Sequence, residues 1–153
     1  MNAASPEFAP HWQARLRGGF PLLDAMRVEV RGDADGWALH APFAVNRNDH
    51  GTAFGGAIST LATIAGWMAA LLAAADDADA VIQSGDTEFL LPIHGDFHAR
   101  VLPPPADDVA RLRRALARGR PGRLHLVVEI RDDADVLAAR FAGRYVVQAA
   151  DAR

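Results

Sequence analysis

The stretch from Asn46 to Gly56 reads Asn-Arg-Asn-Asp-His-Gly-Thr-Ala-Phe-Gly-Gly, and it sets polar and ionisable side chains directly ahead of an apolar run. Backbone N–H groups at a helix start have no intrahelical acceptor and favour negative charge. Glycine lets a ligand carbonyl approach them without a Cβ in the way. Gly55 and Gly56 therefore form a candidate oxyanion site, with Asn48, Gly51 and Phe54 as candidate contacts beside it. The competing reading is that the glycines only allow a neighbouring element to pack closely. Attack on a polarised carbonyl also needs a group that takes a proton. His50 is of the type that titrates near neutrality, and Asp49 lies next to it. Ser59 and Thr63 are four residues apart, so they share one helix face and could orient a water. Asp86 is a third carboxylate in a segment that could reach a ligand. Each has a plainer job available. Asn48 and Asp49 could hold a turn, Thr63 could bond back to its own helix, and Asp86 could satisfy a bulge.

Two other clusters carry chemistry. His94, Asp96 and His98 alternate, so on a strand they share a face. His94 and His98 would then stand about 13 Å apart, too far to share one metal ion. No metal site is expected. Arg111, Arg113, Arg114, Arg118, Arg120 and Arg123 are the basic cluster. They read either as a solvated helix face or as forks for phosphate oxygens. No aromatic residue is interleaved with them, and the net charge is -3, so nucleic acid is not the expected partner. Trp67, Phe89 and Phe97 read as core residues, some of them bordering a ligand channel.

These groups need elements to hold them. The 153 residues fit one domain, 1–153, and half of them are hydrophobic, enough to bury a core. There is no cysteine, which excludes thiol nucleophiles and disulfides. Pro10 to Arg17 predicts a short helix stopped by Gly18 and Gly19, and Phe20 to Ala25 a connector. Met26 to Arg31 alternates apolar and charged residues, and with Trp37 to Ala41 it predicts a hairpin across Asp33 to Gly36. Pro42 to Phe54 reads as a loop. Gly55 to Ala75 holds no charged residue; it is long enough for a bilayer, but its glycines, serine and threonines favour a fully buried core helix. The acidic cluster Asp76 to Asp79 predicts a solvated loop. Ala80 to Ile93 is a strand with a bulge or close approach at Gly85-Asp86, and Asp96 to Leu102 is another. Asp107 to Arg118 reads as a helix, with a strand as the alternative. Arg123 to Arg131 and Val136 to Val147 are two last strands around a turn at Asp132 to Asp135, and Ala149 to Arg153 is a tail. The order is α+β, because helices do not alternate with strands.

The run from Asn46 to Gly56, followed by Leu-Ala-Thr-Ile-Ala-Gly-Trp ending at Trp67, resembles the hotdog-fold thioesterases. More closely it is similar to the subfamily also found fused behind an acetyltransferase domain. The segments Ser84 to Asp96, Gly122 to Ile130 and Ala142 to Val147 fit as well. The resemblance implies a curved antiparallel sheet wrapped around one long central helix. It implies a homodimer or dimer of dimers, with sheets joined edge to edge and acyl thioester sites at the subunit interface. In better-known hotdog thioesterases a His-Gly-Gly opens the helix, and an acidic residue two positions past its leucine is base or nucleophile. Here Phe54 and Thr63 stand at those places.

The expected function is hydrolysis of an acyl-CoA or acyl-carrier-protein thioester, without a cofactor. Asp49 or His50 would be the base, Thr63 would position the water, and Asp86 would reach in from a neighbouring subunit. On this reading the arginine cluster could dock the phosphates of coenzyme A. The rivals are a non-catalytic acyl-ligand binding or regulatory module and a hydratase-type hotdog enzyme. Met1 to Pro10 has neither a basic nor an apolar leader region, so a cytoplasmic location is the expectation, with no membrane partner.

Overall fold

The computed structural model describes residues 7–75 and 77–151. The readings that fall on Met1 to Pro6, on Asp76 and on Ala152 and Arg153 lie outside the described residues.

The longest helix, α4 (Gly55–Ala74), organises everything else. Its sequence is rich in alanine, leucine and methionine, which lose little freedom in a helix. Phe54 enters it in an extended conformation and Ala75 leaves it in the left-handed region. Around it runs one six-stranded antiparallel sheet. The strands are β1 (Glu29–Asp33), β2 (Gly36–Ala41), β3 (Ala78–Phe89), β4 (Phe97–Val101), β5 (Gly122–Asp132) and β6 (Leu137–Ala149), in the order β1-β2-β4-β5-β6-β3. The helix packs against β2, β4, β5, β6 and β3, so the sheet curves around it. This is the hotdog arrangement implied by the resemblance.

Alternation along β5 and β6 puts Leu124, Leu126, Val128, Ile130, Phe141 and Tyr145 on the helix side, all buried. They meet Leu61, Ala62, Ala65 and Met68 of α4, also fully buried. Each large side chain buried here contributes about 1.5–3 kcal/mol. Gly66 is needed at this contact, because a Cβ there would run into the Tyr145 ring.

The other helices close the sides. α1 (Phe8–Gly19) lays Phe8, Trp12 and Leu16 on the core, and its Gln13 side chain bonds Val28 and Val30 at the hairpin. Trp12 and Phe20 meet Trp67 edge-on, covering the side of α4 that the sheet leaves open. α5 (Ala106–Ala117) inserts Leu112 over Gly122, and Arg113 Nε donates to the Ala73 carbonyl at the end of α4.

Several expectations need correction. Phe20 to Ala25 holds a short helix, α2 (Pro21–Ala25), whose start is preset by Pro21 at the first position. The first strand begins at Glu29, since Arg27 takes φ 54° and Val28 folds back onto the Leu23 carbonyl. The Pro42 to Phe54 loop contains one turn of helix, α3 (Phe43–Asn46). Ala78 and Asp79 are strand, paired with Ala149 and Gln148, so neither the acidic cluster nor the tail is wholly loop. The bulge lies at Gln83, between Ile82 and Ser84; at Gly85 there is the close approach alone, against the Phe141 ring. The central helix is not buried all round: Ser59, Thr60, Thr63 and Trp67 are half-buried.

Candidate active site

The loop before α4 is held by its own side chains. Asn46 is buried, and its amide donates to the Met26 and Pro42 carbonyls at 2.9 and 2.8 Å. Asn48 Oδ1 accepts from the His50 and Thr52 amides at 2.9 and 3.1 Å, and its Nδ2 donates to Thr52 Oγ1 at 2.8 Å. Asn48 is thus committed to the turn, and Gly51 completes that turn at φ 78°. The loop closes through a bridge between Arg47 and Ala53, and the Phe54 amide donates to the Asn46 carbonyl.

The helix start beyond this loop is uncapped, with no side-chain cap hydrogen bond at Phe54 among the described residues. The Ala57 and Ile58 amides donate back to the Phe54 carbonyl, while helix geometry leaves those of Gly55 and Gly56 without an intrahelical acceptor. Gly55 borders a groove of about 310 Å³ lined by Thr52, Ala53, Ile58 and the run Phe89 to Ile93. A Cβ at Gly55 would touch the Phe89 ring at 3.4 Å. Phe89, expected in the core, is instead 56% exposed, and Phe54 beside it is 55% exposed. Trp67 is half-buried and Phe97 buried, both in packing roles.

Further along α4, outside the groove's lining, stand hydroxyls. Ser59 Oγ and Thr87 Oγ1 are 2.9 Å apart and tie α4 to β3. Thr63 Oγ1 donates to the Ser59 carbonyl at 2.7 Å, the plainer of the two jobs foreseen for it, which leaves its oxygen free to accept. Because Thr87 faces the helix, its neighbours Asp86 and Glu88 point to the other face of the sheet. Asp86 pairs in register with the exposed Ala142 and is not brought to the groove by its own chain. Thr87 is the β3 polar group that reaches α4. No sequence signal separates it from Asp86, because the bulge at Gln83 resets the alternation.

His50 Nε2 lies 3.5 Å from Asp49 Oδ1, at the outer side of the loop, with both side chains more than four-fifths exposed. The pair is together, but among the described residues no ionisable side chain lines the groove itself. His94, Asp96 and His98 serve separate ends. His94 is exposed, Asp96 accepts from the Phe43 amide at 2.7 Å, and His98 stacks on His40 across β2 and β4.

Residues 10–149 match the family described as "Putative thioesterase (yiiD_Cterm)". The chain belongs to this family. Among solved structures, the "putative thioesterase from Shewanella oneidensis" is 27% identical, with a TM-score of 0.83 over 95% of this chain and 100% of that one. A thioesterase from Haemophilus influenzae is 15% identical with a TM-score of 0.77, covering 100% and 99% of the two chains. A Bacillus halodurans protein solved with CoA is 14% identical with a TM-score of 0.69, covering 94% and 88%. The last two show the shared fold. No curated protein is similar enough to count as a relative. Family membership supports a thioester hydrolase, and the departures at Phe54 and Thr63 are set inside the family's own fold.

Proposed function

We propose that the chain hydrolyses an acyl-CoA thioester to the free acid and thiol, as a homodimer joined along β3. The observation that carries this is the uncapped start of α4, whose first residue, Gly55, borders an apolar groove. The acyl chain lies along Phe89, Leu90, Leu91 and Ile93, and the thioester oxygen points at the two amides, which stabilise the oxyanion. Water adds through its oxygen to the carbonyl carbon, and its proton goes to the base. The C–S bond then breaks, and the proton passes to the thiolate. The Asp49–His50 pair is the candidate base, with the carboxylate orienting the imidazole. Thr63 accepts a hydrogen bond from the water.

The dimer reading rests on β3. It is an edge strand with a free row of backbone groups. Val81, Ile82, Phe89, Leu90 and Leu91 are exposed along it and just after it. A second chain would cover them and enclose the groove. The Bacillus halodurans neighbour, solved with CoA, supports a CoA ester as substrate.

The groove's lining among the described residues, which holds no ionisable side chain, favours one alternative, an acyl-ligand binding module without turnover. The test monitors free thiol release over a panel of acyl-CoA esters. Turnover supports hydrolysis; saturable binding without turnover supports the module.

A further inference from the structure

We infer that the arginine stripe of α5 holds the phosphates of a coenzyme A ester whose acyl end sits in the groove of a second copy of the chain. This rests on the dimeric hydrolase reading above and assigns the other half of its substrate.

The first observation is charge. In a chain of net charge -3, six of the sixteen arginines fall between residues 111 and 123. Arg111, Arg114 and Arg118 are three and four residues apart, so they form one stripe opposite the buried Leu112. Arg111 is tied to Asp108 at 3.0 Å. Arg114, Arg118 and, in the following turn, Arg120 are exposed and make no ion pair among the described residues. Unpaired guanidinium forks suit phosphate oxygens.

The second observation is direction. α4 runs antiparallel to β3: Gly55 lies at Phe89, Ser59 at Thr87, and the Trp67 indole donates to the Ala80 carbonyl at 2.9 Å. The groove is therefore at the Phe89 end of β3. α5 is at the Ala78 end, docked on the end of α4 through Arg113 and Ala73. Within one chain the two sites are at opposite ends. Two β3 edges paired antiparallel about a two-fold axis bring the start of one strand beside the end of the other. The α5 of one copy then flanks the groove mouth of its partner. The pantetheine arm spans from the carbonyl to that stripe.

The test compares kcat/KM for an acyl-CoA with that for the acyl-N-acetylcysteamine thioester of the same chain length, which has no phosphates. In the variant Arg114→Glu/Arg118→Glu, the preference for the CoA ester is expected to fall by about tenfold or more. Dephospho-CoA esters should show an intermediate preference. An unchanged preference overturns the inference. So does a loss seen with an acyl-carrier protein and not with the CoA ester, since the stripe would then be a protein dock. Should the wild type turn over neither thioester, the hydrolysis reading fails by itself. Calorimetry with a non-hydrolysable acyl-CoA ketone analogue then decides: weaker binding by the variant upholds the phosphate site, and equal binding removes it.

Discussion

Tyr145 donates its buried hydroxyl to the Thr63 carbonyl at 2.7 Å, and its ring occupies the space a side chain on Gly66 would need. This contact sets how closely α4 lies on β6, and with it where the helix start meets the groove. Burial pushes the Tyr145 hydroxyl well above its usual value, so it stays a donor throughout the working pH range. Gly66→Ala should lower stability by about 1–3 kcal/mol through overpacking. Tyr145→Phe should cost about 1 kcal/mol. The double variant should lose less than the sum, because removing the hydroxyl takes away the closest of the clashes that a methyl on Gly66 would make. Urea unfolding of the four proteins checks this, and strict additivity would count against the contact.

The Asp49–His50 pair predicts a split in kinetics. His50→Ala should lower kcat about 100-fold, with a smaller change in KM, as expected of a general base. Asp49→Asn should lower kcat less. Steady-state thiol release measures both, and wild-type rates in both variants would remove the pair from the mechanism.

The outer face of the sheet predicts an acid-sensitive fold. His40 and His98 stack with ring centres 5.1 Å apart. Burial first, then the Arg31 guanidinium and His98, bring His40 down to about 4. Burial and Arg100 also lower His98, against the pull of Asp135. Glu29 and Arg131 flank the pair in register. The unfolded chain binds these protons near pH 6.5 and the folded chain only at lower pH. Stability is therefore fully present above pH 6.5 and declines as pH falls towards 4. Thermal melts across that window should show the decline, and His40→Phe should flatten it. A pH-independent midpoint in the wild type would refute the account.

Val81 lies on the free edge strand and is 63% exposed. Val81→Asp should shift the chain to monomer in sedimentation, with turnover lost and secondary structure by circular dichroism retained. A monomeric wild type would remove the proposed interface.

The sequence made the central helix legible because its apolar run is long, opens on paired glycines and holds no charged residue. The last two strands were legible because their alternation is regular. The positions that escaped were set by tertiary geometry. The bulge at Gln83 decides that Thr87, and not Asp86, faces α4, and no residue type announces it. Phe89 reads as core because it is aromatic, yet it sits on an edge strand next to a glycine that leaves it uncovered. Asn48 was a candidate contact, but its three hydrogen bonds hold the turn. Pro21 is the signal that the connector reading of Phe20 to Ala25 passes over, since proline suits a helix start.

The central claim is that the Gly55 and Gly56 amides stabilise the oxyanion, and Gly55→Pro tests it most directly. Proline deletes one N–H, suits the first helical position, and succeeds a Phe54 already in the extended conformation that proline demands. With thiol release from acyl-CoA as readout, kcat should fall about 100-fold while the thermal midpoint holds. A folded Gly55→Pro protein that turns over at the wild-type rate would contradict the account.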